Sequence, residues 1–266
     1  MTDLTGLIAW YKPETLAASY ANGDPISTWA DSSGNGRDLT GTTTTRPLAA
    51  ASAINGYMAA DFDGTDDILS SSSYSHSGQV VVSAVFNVDT LKNYNTIIVM
   101  DDVSPPVHAA GVLSNILYNT GNFLAGVDVG GHKYANHYSA ISAATNYVAT
   151  YAMNTATGPI VSINGRRKID QAAGVAATPA VTSYIFMGYS GLAGSYLNGK
   201  IAEVVIYTVA DEAEIPWVDG YLADKYAITL ADGHLFKNAA PENAPTTYNA
   251  TGGATLASDA RIERLK

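Results

Sequence analysis

The chain has 266 residues, 47% of them hydrophobic and only 14% charged, so it can bury a large core without disulfides or metal, which excludes disorder and coiled-coil fibre. Its formal net charge of −10, from 14 Lys and Arg against 24 Asp and Glu, repels phosphates and anionic headgroups, so neither nucleic acid nor a membrane is an expected partner. Cysteine is absent, which removes disulfide frameworks, thiolate metal sites and cysteine nucleophiles.

Asp outnumbers Glu by 18 to 6, and because Asp favours turns and caps the acidity is expected mostly in loops. The start, Met1-Thr2-Asp3-Leu4, lacks the basic region of an export signal, and Lys12-Pro13-Glu14 breaks the first apolar stretch. From Leu7 to about Tyr207 short apolar runs rich in Val, Ile and Tyr are closed by Gly, Asn, Asp, Ser or Thr, the punctuation of strands. The runs cover 78–88, 95–100, 111–118, 122–129, 146–153, 158–164, 183–189 and 200–208, and without a helical period they argue for an antiparallel sandwich. The longest, Val80 to Val88, is far too short to cross a bilayer. Asn164-Gly165, between Ile160-Val161-Ser162-Ile163 and Arg166-Arg167-Lys168-Ile169, supplies two residues that accept positive φ and predicts a tight hairpin.

One helix interrupts the strands. After Asp211, a cap, comes Glu214 at the capping-box position, then Trp217, Val218, Tyr221, Leu222, Lys225 and Tyr226 along one face, expected to pack on the sandwich rim. Pro216 suits a first turn better than a helix interior, so the helix is also read as starting there. After Thr229 the composition shifts to Pro241, Pro245, Gly252 and Gly253, an extended arm. Residues 256–266 offer a short helix with apolar points Leu256, Ile262 and Leu265, too short to stand alone in water and therefore an assembly contact. The expected organisation is a sandwich over 1–230 and an attachment arm over 231–266.

Three segments, Gly6-Leu7-Ile8-Ala9-Trp10-Tyr11, Trp29-Ala30-Asp31-Ser32-Ser33-Gly34-Asn35-Gly36, and Ile54-Asn55-Gly56 leading to Phe62-Asp63-Gly64-Thr65-Asp66-Asp67-Ile68-Leu69, together resemble the concanavalin A-like, laminin-G-like lectin and glucanase superfamily. Gly199 to Tyr207 with Tyr221 to Tyr226 is similar to the last strand and C-terminal helix of its bacterial and phage members. The resemblance covers about residues 4–230 and implies an all-β jelly roll of two antiparallel sheets with one short C-terminal helix. Such a fold hosts many activities and supplies none by itself.

Glycoside hydrolases of this superfamily carry paired carboxylates on one strand face, about 5 Å apart. No Glu-x-Asp-x-x-Glu pattern occurs, and Glu203, Glu212 and Glu214 are isolated or capping, so no catalytic residue is expected. Asp31, Asp63, Asp66 and Asp67, with Asp61 and Asn35 nearby, offer the oxygen ligands that calcium takes and that some related lectin domains use. Their ordinary reading, favoured here because the spacing matches no calcium loop, is that they accept bonds from turn N–H groups. No cofactor is required; calcium is possible.

The segment His132-Lys133-Tyr134-Ala135-Asn136-His137-Tyr138 concentrates rings and polar groups, which suits a sugar's CH face and hydroxyls. With Tyr94, Asp101, Asp102, His108, Tyr118 and Asn119 it forms a candidate carbohydrate site if their loops converge on one end, the alternative being a polar strand pair with one face to water. His132 and His137, five apart, point to opposite sides of a continuous strand and so suit a metal poorly. Arg166-Arg167-Lys168 is either a charged edge that discourages stray strand pairing or a docking patch for acidic glycan.

The expected function is a non-catalytic, lectin-like virion protein on a bacteriophage or similar particle. It recognises host cell-surface polysaccharide, is homo-oligomeric, is attached to other virion proteins through its C-terminal arm, and is released without a signal peptide. The alternatives are a structural decoration or fibre subunit with no glycan pocket and, third, a polysaccharide-degrading enzyme.

Overall fold

The computed structural model describes residues 4, 6–76, 80–92, 94–102, 104, 106, 112–117, 122–128, 132–137, 141–152, 160–169, 181–208, 214–237, 247–250 and 254–257. Of these, 112–117, 124–128, 132–137, 168–169, 181, 247–250 and 254–257 are described by their backbone. The chain opens with β1 (Leu7–Tyr11), helix α1 (Pro13–Ser19), β2 (Thr28–Trp29), β3 (Leu39–Thr40), β4 (Leu48–Ile54), β5 (Tyr57–Asp63), β6 (Leu69–Ser70) and β7 (Tyr74–His76). It continues with β8 (Val80–Val88), β9 (Asn95–Asp101), β10 (Val112–Leu117), β11 (Phe123–Asp128), β12 (His132–His137), β13 (Tyr147–Ala152), β14 (Ile160–Ile163) and β15 (Arg166–Ile169). The last elements are β16 (Val181–Met187), β17 (Asn198–Thr208), helix α2 (Ile215–Lys225), β18 (Thr247–Ala250) and β19 (Ala254–Ala257).

Two antiparallel sheets make the sandwich. An eight-stranded sheet runs β15-β14-β13-β8-β17-β5-β4 with β1 also on β17, and a nine-stranded sheet runs β12-β11-β10-β9-β16-β6-β3-β2 with β7 on β16. Between them Phe62, Val82, Ala84, Phe86, Ile98, Met100, Ile185, Val204 and Ile206 interleave in one core. A second core lies on the far side of the eight-stranded sheet, where Val81, Val85, Val148, Val205 and Tyr207 meet Ile215, Trp217, Val218 and Leu222 of α2. All nine residues of β8 are therefore buried. Its Val-rich run is continuous because both faces are covered, the condition under which a strand loses its polar alternation.

The helix thus packs on the outer face of the sheet and not on the rim expected of it. Its N-terminus is set by Pro216 in the first turn, and Glu214, the residue before the helix, makes no side-chain capping bond. Asp211 lies outside the described residues. Packing continues through Phe236, whose ring sits 4.9 Å from that of Trp217. Helix α1 was hidden by the apparent break at Lys12-Pro13-Glu14: proline at the first helical position costs no hydrogen bond and presets φ. The Asn164-Gly165 hairpin forms as expected, with φ of 48° and 75° at its two central residues and Ile163 paired to Arg166.

In the arm, Leu256 falls in β19, which pairs with β18, and not in a helix. A Gly-Gly step between two Thr- and Ala-containing runs favours a hairpin, whereas an isolated helix of that length is unstable. Ile262 and Leu265 lie outside the described residues. Among the described residues no helix is long and apolar enough to cross a membrane.

Candidate functional site

The aspartates of the opening motifs lie at two separate points along β17. Asp31 sits where β1 pairs with Val204 and Val205, whereas Asp63 is opposite Asn198, a separation of roughly 20 Å along the strand at 3.3 Å per residue. The Asp31 carboxylate accepts from the Trp10 N–H at 2.9 Å, the Ser33 N–H at 2.8 Å, the Ser33 hydroxyl at 2.7 Å and the Arg37 N–H at 3.1 Å. Asn35 donates to the Leu7 and Ile8 carbonyls at 2.8 and 3.0 Å. This motif closes a turn against β1, and Asp31 stands apart from the other three acids.

Asp63, Asp66 and Asp67 do come together, each with a carboxylate oxygen within 4.8 Å of the others. Two of them serve the turn itself: Asp63 accepts from the Thr65 N–H at 2.7 Å and Asp67 from the Asp63 N–H at 2.8 Å. Burial pushes the Asp67 carboxyl up to about 6, and Asp63, Asp66 and Asp61 push the same way against the bond from the Asp63 N–H. Lys92 already places its ammonium on the Gly64 carbonyl at 2.6 Å. Calcium takes six to eight oxygens, so three acids with two committed to backbone and a lysine alongside fit a self-sufficient turn better than a calcium cage.

Beside this turn lies a feature the sequence analysis passed over. Tyr189 and Tyr196 stack with centroids 4.2 Å apart and ring planes 13° from parallel. Both are half-buried. The loop that carries them is closed by Leu197 N–H to Gly188 O at 2.8 Å, Ser195 N–H to Leu192 O at 3.0 Å and Ser190 N–H to Ser195 Oγ at 3.2 Å. Thr96 of β9 donates to Ser195 O at 3.2 Å and fixes the loop to the nine-stranded sheet. Gly188 has φ of 89°, and a Cβ there would lie 2.5 Å from the Phe62 ring, so only glycine lets the loop sit down on the core. Burial, the neighbouring Tyr189 and the Asp66 charge all raise the Tyr196 hydroxyl above its ordinary range. Asn198 ties the two loops together by donating to Asp63 O at 2.9 Å. The signal available in sequence was the pattern Tyr-Ser-Gly-Leu-Ala-Gly-Ser-Tyr, two rings flanking a small-residue loop.

The carbohydrate candidates built around β12 separate along the strands. The β9–β12 meander pairs Leu117 with Asn95 and Phe123, and Phe123 with His137, which puts Tyr94 and His137 at the Tyr189–Tyr196 end. Met100 pairs with Leu113 and Asp128 with His132, which puts His132, Asp101 and Asp102 at the other. His132 and His137 are roughly 17 Å apart by strand rise, with Tyr134 and Asn136 between them on what is the edge strand of that sheet. The proposed single cluster is therefore two groups. Asp101 is fully buried, so its carboxylate has no route to a sugar; Tyr94, at φ of 63°, and the exposed Asp102 remain on opposite rims. Tyr118, Tyr138, His108 and Asn119 lie outside the described residues. Arg166 and Arg167 lie on β15, the edge of the eight-stranded sheet.

Glu203, the strand carboxylate considered for catalysis, is a structural hub. It is fully buried and accepts from Trp10 Nε1 at 2.7 Å, Tyr221 OH at 3.1 Å, Lys225 Nζ at 2.7 Å and Tyr226 OH at 2.9 Å. Four donors fill the acceptor sites of a carboxylate and pin β1, β17 and α2 together. Asp219 of α2 is equally buried, but its partners are the Thr150 and Ser162 hydroxyls, with Ser83 bonded to Thr150 at 2.7 Å. Burial raises its carboxyl to about 6 against the pull of those hydroxyls and of Arg167.

No protein family and no curated protein sequence matches this chain. Solved structures do. Domain 4 of AbnA, a GH43 extracellular arabinanase from Geobacillus stearothermophilus, in complex with arabinotriose, is similar over 76% of this chain and 92% of that one, at TM-score 0.53 and 18% identity. The binding domain of botulinum neurotoxin DC in complex with SialylT is similar over 83% of this chain and 52% of that one, at TM-score 0.52 and 12% identity. The chain spans 26% of the NanB sialidase of Streptococcus pneumoniae, at TM-score 0.42 and 8% identity. At these identities the likeness to the first two is one of fold: an all-β, two-sheet sandwich.

Proposed function

We propose that this chain is a non-catalytic carbohydrate-binding sandwich whose contact surface is the rim formed by the Tyr189–Tyr196 loop and the Asp63–Asp67 turn. The observation that carries the reading is the half-buried tyrosine stack set beside carboxylates on hydrogen-bonded loops. Rings give a flat apolar support for a sugar's CH face, and carboxylates accept from its hydroxyls. A sandwich neighbour solved in complex with arabinotriose, domain 4 of AbnA, supports the same direction. Glu203, the acid best placed in a strand, is spent on four structural donors, which favours binding over hydrolysis.

The finer setting we propose is a virion surface, with host polysaccharide as the partner and the arm beyond Lys237 as the attachment. Among the described residues β18 and β19 pair only with each other, which suits a segment that works outside the sandwich. A glycan array with the full chain tests the binding: retention of at least one glycan class, lost in Tyr196→Ala, is expected. An array with no hits and a host-capsule pull-down with no capture would overturn it. Deleting residues 238–266 is expected to abolish assembly onto the particle and to leave the melting temperature unchanged; assembly that persists refutes the attachment role.

A further inference from the structure

We infer that the tyrosine rim selects its sugar by charge, taking uncharged residues and rejecting those that end in sialic or uronic acid. The inference rests on the reading of that rim as a glycan site. A carboxylate-bearing sugar docked on Tyr189 and Tyr196 would bring its negative charge beside the Asp63, Asp66 and Asp67 cluster, whose turn is tied to the tyrosine loop by Asn198 donating to the Asp63 carbonyl at 2.9 Å. The cationic groups described near this turn are engaged within the fold. Arg46, whose loop accepts from the Ile68 N–H through the Thr45 carbonyl at 3.0 Å, donates its Nε to the Gly41 carbonyl at 3.1 Å. Lys92 is held on the Gly64 carbonyl at 2.6 Å, and Lys200 lies 3.4 Å from Asp61 and 2.7 Å from Asp89.

Recognition of a sugar carboxylate ordinarily uses arginine, whose planar fork meets both oxygens at once. No arginine occurs in the segments 63–68 and 188–198 that form this rim among the described residues. What the rim offers a ligand is therefore ring faces, acceptors and amide groups. Those satisfy hydroxyls and a CH face, and they leave an acidic substituent without a counter-charge in a negative field. Two sandwiches of the same fold can thus differ in sugar class through the charge of one rim alone.

The test uses matched pairs. The full chain is titrated with neutral oligosaccharides, arabinotriose and lactose among them, and with 3′-sialyllactose, which differs from lactose by the terminal acid, at 20 and 300 mM NaCl. A neutral member is expected to bind, its sialylated counterpart at least tenfold more weakly at 20 mM salt, and the gap to narrow at 300 mM as screening grows. Tyr196→Ala is expected to cost at least tenfold on the neutral sugar, with Tyr196→Phe keeping most of it and serving as the folding control. Asp66→Asn is expected to shrink the neutral-over-sialylated ratio. Equal or tighter binding of sialyllactose, or a ratio unmoved by Asp66→Asn, overturns the charge selection while leaving glycan binding intact. Failure of every sugar to bind overturns both.

Discussion

Replacing Asp219 by asparagine is expected to stabilise the protein at pH 7 and to flatten its stability–pH profile. The wild-type carboxyl titrates near 6 in the fold against an ordinary 3.8, so the folded state holds a proton that the unfolded state has released. Stability from this group is fully present below about pH 4 and is lost as pH rises through 6, by about 3 kcal/mol in total at roughly 1.4 kcal/mol per unit. Asparagine removes the charge and keeps an oxygen for the Thr150 hydroxyl, while its amide can donate to Ser162 Oγ. Urea unfolding followed by tryptophan fluorescence at pH 4, 5, 6 and 7 reads the effect. The two proteins should match near pH 4 and diverge in favour of the variant by about 2 to 3 kcal/mol at pH 7. A residual slope from the raised Asp67 carboxyl remains in both. Parallel curves, or a variant weaker than wild type at pH 7, would show that the hydroxyl network and not the buried charge governs this helix contact.

Glu203→Ala leaves the Trp10, Tyr221 and Tyr226 donors without this acceptor and Lys225 with Glu14 as its remaining carboxylate, and is expected to cost about 3 to 5 kcal/mol in the same urea assay; a loss under 1 kcal/mol contradicts the hub. For Gly188→Ala the new Cβ meets the Phe62 ring at 2.5 Å with φ at 89°, so about 2 to 4 kcal/mol of stability should go. If that variant melts like wild type, the loop is not seated as described. On the reading of the Asp63–Asp67 turn as one closed by its own N–H groups, calcium at 2 mM against EDTA is expected to move the melting temperature by less than about 2 °C, because linkage acts only through a bound ligand. A larger upward shift would assign that turn to the metal.

The two-sheet architecture was legible because strand runs, turn residues and the Asn164-Gly165 pair all act locally. The placement of α2 was not, since the same apolar stripe of Trp217, Val218 and Leu222 serves a rim or a sheet face equally well. The unbroken apolar character of β8 was the available clue, as it demands cover on both sides. Candidate sites fared less well for a topological reason. Whether Tyr94, His137, His132 and Asp102 meet depends on which way each strand of a meander runs, and a list of polar residues carries no direction. Tyr189 and Tyr196 went unnoticed because each belongs to the margin of a strand and looks like core filler until the loop between them is closed.

Strand β17 bonds to β1, whose residues come about 200 positions earlier in the chain, and also to β5 and β8. During translation these three strands emerge long before their shared neighbour does, and none can complete its ladder until the ribosome has passed Thr208. Assembly of this protein is consequently late and slow, as expected where pairings span most of a chain, and nascent chains stalled short of β17 expose several open edges to aggregation.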